Sequence, residues 1–222
     1  MNLRFLLAMA AGAAVFASQL LVWLYAPVEM TLGPIQKIFY VHMPCAWWAL
    51  LSFFVVFVAS IAYLITRNFF WDRLAGAAAE LGVLLALLAL ATGSIWGRVS
   101  WNVWWTWDPR LTTTLVMWFI YAGYLLIRSL AMQPGRRAVV SAVLGIVAFL
   151  DVPLVFYSAR LWRSIHPAVF SSSGGGLEPE MKLTLFVSLG AFGLLWSAIL
   201  LARLWQMNSA ERIEARIIWK EH

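Results

Sequence analysis

Six long apolar runs constrain this chain more than any other feature. They are approximately Leu3–Tyr25, His42–Ile65, Leu74–Ile95, Leu111–Ile127, Ala138–Ser158 and Leu183–Trp205. Each is close to the roughly 20 residues needed to cross a hydrocarbon core of about 30 Å. The runs are continuous rather than alternating. An isolated strand would leave its backbone groups unpaired in lipid, so each run is expected to be a helix. Composition agrees: 63% of residues are hydrophobic, 12% are charged and the mean hydropathy is +0.82. Soluble domains carry about 25% charged residues. The expected fold is an all-α integral membrane protein, a single six-span domain over residues 1–222. The first run has some look of a signal peptide. It exceeds the usual ~7–15-residue apolar stretch of such peptides, and is read as an uncleaved first span.

Basic residues set an expected orientation. Arg4, Arg67, Arg73, Arg128, Arg136, Arg137, Arg203, Arg212, Arg216 and Lys220 fall on one side, against Lys37, Arg98, Arg110, Arg160, Arg163 and Lys182 on the other, ten to six. The richer side is expected to be cytoplasmic, which places both termini inside. Residues 206–222 then form a cytoplasmic tail with an amphipathic look. The net charge of +6 reads as topology and headgroup contact, because no basic run carries a nucleic-acid motif. One cysteine, Cys45, excludes an internal disulfide. No C-x-x-C-H occurs, so no haem of the c type is attached to this chain.

This topology leaves three outer segments: 26–41, 96–110 and 159–182. Two of the three histidines, His42 and His166, fall on that face, while His222 ends the chain inside. The grouping holds even if the orientation is reversed. Neutral imidazoles suit an iron or zinc ion. Zinc normally takes three or four protein ligands, and the outer face offers no third histidine or cysteine cluster. A macrocycle that brings four nitrogens needs only two axial ligands, which points to haem.

The segment Trp96–Arg110 holds Trp96, Trp101, Trp104, Trp105 and Trp107. A belt of aromatic side chains at headgroup depth accounts for Trp23, Trp71, Trp162 and Trp205. It accounts less well for so dense a cluster. Trp101, Trp104, Trp105 and Asp108 are spaced i, i+3, i+4, i+7, which predicts an interfacial helix with an indole face. Such a face suits a broad apolar ligand. Asp108 and Pro109 read as the N-cap and first residue of the fourth span. Arg110 sits in the first turn, where the helix dipole disfavours a cation, so an anion is expected nearby. Either Asp108 or a ligand carboxylate such as a haem propionate meets that need. Asp151 lies inside the fifth span, two residues before the helix-kinking Pro153, and is expected to satisfy freed backbone groups. Glu80 is expected to snorkel or pair.

The stretch "WGRVSWNVWWTWDPRLT" resembles the WWD signature of a family of haem-handling membrane proteins. The six spans, "IFYVHMPCAWW" around His42 and "YSARLWRSIHP" around His166 are similar to the haem exporter protein C (cytochrome c maturation protein C) branch of that family. The resemblance covers nearly the whole chain. It implies haem held on the periplasmic face of a bacterial inner membrane. His42 and His166 would be axial ligands and residues 96–110, including Trp96, Trp101, Trp104, Trp105, Trp107, Asp108 and Arg110, the platform. It further implies non-covalent haem b, passed to a periplasmic haem chaperone for c-type cytochrome biogenesis. The implied partners are that chaperone, ATP-binding-cassette transporter subunits and a small single-span subunit. A transfer protein is favoured over a stand-alone enzyme. Two alternatives remain. One is a haem lyase acting on apocytochrome c, for which no large outer domain is evident. The other is a transporter subunit, for which the chain has no nucleotide-binding loop.

Overall fold

The computed structural model describes residues 3–162 and 177–218; His166, Arg163 and His222 lie outside them. It contains α1 (Leu3–Leu20), α2 (Phe39–Thr66), α3 (Phe69–Trp101), α4 (Pro109–Ser129), α5 (Pro134–Ala148), α6 (Asp151–Leu161) and α7 (Pro179–Ile218). A π-helical turn, Leu21–Tyr25, extends α1, and a 3-10 turn, Pro34–Ile38, leads into α2. No strand occurs among the described residues. Six helical stretches are long and apolar enough to cross a membrane, with α5 and α6 forming one of them. The expected all-α, six-span fold is therefore observed.

Local chemistry sets the ends. Arg67, with φ 56°, closes α2, and Asn68 caps α3 by accepting a bond from the Phe70 amide at 2.9 Å. Pro134 opens α5. The fifth span breaks at Phe149–Leu150, just before Asp151 and Pro153. A proline ring clashes with the carbonyl four residues earlier, so a helix breaks upstream of it. The expected bonding of Asp151 to freed backbone groups is not seen at Oδ2, which is buried with no hydrogen-bond partner among the described residues.

One expectation fails. Trp101–Asp108 does not form an interfacial helix. Instead α3 runs on to Trp101, Asn102 turns left-handed at φ 59°, and residues 102–108 are irregular. Two local effects override the favourable spacing. Asn tolerates the left-handed turn that ends a helix. Asp108 precedes a proline, which disfavours the helical region, and it is extended at ψ 140°. The Arg98 guanidinium also bonds the Asn102 carbonyl and side-chain oxygen, sealing the end of α3.

The most extensive packing joins α2 to α3. On α3, Ala75, Ala79, Gly82, Ala86 and Ala89 are all buried. Their spacing of four and three residues puts small side chains along one face, which lets membrane helices approach closely. Gly82 is the tightest point, since a Cβ there would lie 2.5 Å from Phe53 Cε1. Phe53 cannot easily yield, because it stacks on Tyr121 with centroids 3.7 Å apart. Gly82→Ala is expected to destabilise the protein by about 1–3 kcal/mol, the usual range for overpacking, measured by thermal unfolding in detergent.

Interior tryptophans cross-link the helices through their N–H groups. Trp48 donates to the Leu189 carbonyl at 2.9 Å, Trp196 to Ser52 Oγ at 2.8 Å and Trp118 to the Val83 carbonyl at 3.1 Å. These indoles thus satisfy backbone and hydroxyl acceptors that lipid could not.

The bundle has two chemically distinct ends. At one, Arg128 pairs with Asp72, Arg203 pairs with Glu80, and Arg4 lies 3.8 Å over the Trp205 ring. Glu80 therefore pairs. The opposite end carries His42 and the tryptophan segment.

Candidate functional site

His42 occupies the first turn of α2, facing the last turns of α3. Its Nδ1 lies 3.1 Å from Thr92 Oγ1. A Cβ on Gly93 would stand 3.1 Å from His42 Cε1, so the imidazole rests directly against the α3 backbone. The Trp96 ring, one helical turn beyond Thr92, meets the imidazole edge-on with centroids 6.1 Å apart. Trp96 also packs edge-on against Phe39 at 6.1 Å. Thr92, Gly93 and Trp96 hence form one α3 surface against which His42 sits. Thr92 and Gly93 carry no individual mark in the sequence. Their only signal was "ATGS", a small and polar interruption in an apolar run.

The tryptophan segment folds back along the same helix. Ser94 Oγ donates to the Trp104 carbonyl at 2.6 Å. Trp101 packs over Gly97, where a Cβ would lie 3.2 Å from its ring. Trp105 and Trp107 meet edge-to-face at 5.9 Å. Trp104 and Trp107 are exposed, at 60% and 75%, so their faces are accessible to a ligand. Trp96, Trp101 and Trp105 are half-buried.

Asp108 and Pro109 open α4. Asp108 Oδ1 accepts from the Arg110 amide at 2.9 Å, and the Thr112 amide bonds the Asp108 carbonyl at 2.9 Å. The capping role is thus observed. It also brings a carboxylate to the helix start that carries Arg110. Asp108→Ala is expected to cost about 1 kcal/mol of stability, as for other cap losses, while Asp108→Asn retains an acceptor and most of that stability. Thermal unfolding of the two variants separates them.

A cleft of about 280 Å³ opens beside this surface, lined by Glu29, Thr31, Leu32, Trp96, Ser100 and Trp101. The Leu32 and Thr31 amides hold the Glu29 carboxyl below the usual carboxylate range. That charge shapes its own loop. Lys37, on the 3-10 turn, is buried, donates to the Trp23 carbonyl at 3.3 Å and lies 5.2 Å over its ring.

Seven buried polar atoms at this end have no hydrogen-bond partner among the described residues: Gln36 Oε1, Tyr40 OH, Trp96 Nε1, Ser100 Oγ, Trp105 Nε1, Thr106 Oγ1 and Thr112 Oγ1. Buried polar groups are nearly always bonded, so such a concentration calls for an explanation. All but Gln36 Oε1 can donate. Among the described residues no three His, Cys, Asp or Glu side chains come together as a site for a bare metal ion. The structure thus brings together His42, Trp96, Trp101, Trp104, Trp105, Trp107, Asp108 and Arg110 at one end of the bundle. His166 lies outside the described residues.

Comparison with known proteins identifies the family. The family model described as "Heme exporter protein C" matches residues 1–219. The chain is 35% identical to heme exporter protein C of Bradyrhizobium diazoefficiens, over 80% of this chain and 68% of that one. It is 34% identical to heme exporter protein C of Rhodobacter capsulatus, over 88% and 83%. For that of Escherichia coli the identity is 31%, over 81% and 73%. Bacterial relatives and six membrane-length helices make it a multi-pass inner-membrane protein. This chain belongs to the heme exporter protein C family.

Proposed function

We propose that this protein binds haem at the end of the bundle that carries His42 and delivers it for c-type cytochrome maturation. His42 and His166 are the axial ligands in this reading. Haem brings four equatorial nitrogens, so two imidazoles complete its iron. The bound group is non-covalent haem b. The observation that carries the reading is the set of unpartnered donors that begins at Trp96, whose ring meets the His42 imidazole edge-on, and continues through Ser100, Trp105, Thr106 and Thr112. Haem offers what that cluster is suited to: a flat apolar ring and carboxylate acceptors. Trp104 and Trp107 give the ring a face to lie on. Arg110 engages a propionate, and repulsion directs both propionates away from Glu29.

The charge bias favours this end as the periplasmic one, with both termini cytoplasmic. Residues 96–110 are the platform and 206–222 the cytoplasmic tail. From the platform haem passes to a periplasmic haem chaperone. The relatives' name, heme exporter protein C, supports work alongside ATP-binding-cassette subunits, and a small single-span subunit completes the proposed assembly. A site with both axial positions filled suits carriage more than oxygen chemistry.

Haem-loaded protein in detergent, mixed with apo-chaperone and then separated from it, tests the delivery step. Haem is expected to move to the chaperone in stoichiometric amount. Retention of all haem on this protein would contradict the transfer role.

A further inference from the structure

We infer that Thr92 is a positioning residue for His42, fixing the tautomer in which Nε2 offers its lone pair to the iron. This inference rests on the haem-ligation reading above. Thr92 Oγ1 carries a single hydrogen. It points back along its own helix, to the Leu88 carbonyl at 2.7 Å with the Ala89 carbonyl at 3.2 Å. The contact to His42 Nδ1 is 3.1 Å. With its hydrogen committed to the shorter contact, the hydroxyl meets the imidazole as an acceptor. Nδ1 must then be a protonated nitrogen, and in the neutral imidazole this leaves the lone pair on Nε2.

Gly93 completes the clamp. Its missing Cβ lets Cε1 approach α3, and any side chain there would press on the ring at 3.1 Å. The arrangement is the familiar one for histidine ligands, in which the nitrogen remote from the metal donates to a fixed acceptor. That bond sets ring orientation and raises the basicity of the ligating nitrogen. Here the acceptor comes from a neighbouring transmembrane helix, so the orientation of His42 is tied to the α2–α3 packing.

The test has two arms. In the haem-free protein, nitrogen-15 NMR of histidine-labelled wild type, with His42→Ala used to assign the signal, is expected to show His42 protonated at Nδ1. An Nε2-protonated ring would overturn the inference without touching haem binding. In the haem-loaded protein, Thr92→Val removes the acceptor at nearly constant shape. It is expected to lower haem affinity by about tenfold to a hundredfold, the range for loss of such a partner, and to raise the haem midpoint potential. Thr92→Ser is expected to restore both. Unchanged affinity and potential in Thr92→Val, or equal impairment in Thr92→Ser, would overturn the positioning role. If His42→Ala retains wild-type haem ligation, the haem-ligation reading fails first and takes this inference with it.

Discussion

Haem affinity of the His42→Ala protein is expected to fall well beyond the tenfold to hundredfold drop of a supporting residue. In the proposed ligation the axial bond itself is lost, and no other histidine among the described residues can replace it. Cys45 is buried one turn along α2. The remaining contacts, an indole face and a set of donors, hold a ring weakly and leave its iron short of a ligand. The spectrum should therefore change as well as the amount bound. His166→Ala is expected to behave alike, and the two losses should not add, because either one ends two-sided ligation. Titration of hemin into each detergent-purified variant measures both effects. The variants should keep the wild-type unfolding temperature within a few degrees, since His42 is a partly exposed side chain at a helix start.

The second large effect concerns stability at the opposite end. Arg128 meets Asp72 through two bonds, Nη1 to Oδ1 at 2.6 Å and Nη2 to Oδ2 at 3.0 Å, and adds one to the Asp72 carbonyl at 3.1 Å. The two side chains are only 11% and 6% exposed. The guanidinium lies on Gly76, where a Cβ would stand 2.8 Å from Nη2. Arg128→Ala or Asp72→Ala leaves a buried charge uncompensated, a change that costs about 3–5 kcal/mol. The Arg203–Glu80 pair is as short, at 2.6 Å, but its side chains are 40% and 38% exposed. Glu80→Ala is therefore expected to cost only about 0–1 kcal/mol. Replacing both Arg128 and Asp72 with apolar residues of similar volume should be milder than either single change, because no lone charge remains. Unfolding temperatures in one detergent rank these four proteins. Equal losses at the two pairs would contradict the assignment by burial.

The six spans were legible because lipid imposes a simple rule: a long continuous apolar run must be helical. The cap at Asp108–Pro109 was legible because it is set by adjacent residues. The path of 102–108 was misread for a related reason. Periodicity counts side chains on a face but ignores the backbone limits that Asn102 and Pro109 impose. The Thr92–His42 bond was out of reach, since it joins residues 50 apart through the register of α2 against α3. Trp48, Trp118 and Trp196 show the same limit. As letters they match the belt tryptophans, yet their N–H groups tie neighbouring helices together.

In the proposed function this end of the bundle ligates haem iron through two histidines. That ligation is tested most directly by the absorption spectrum of the hemin-saturated protein beside that of a protein carrying both His42→Ala and His166→Ala. The expected result is a low-spin, six-coordinate spectrum for the wild type, with saturable stoichiometric binding, and loss of both features in the double variant. An identical low-spin spectrum at equal haem content in the two proteins would contradict the claim.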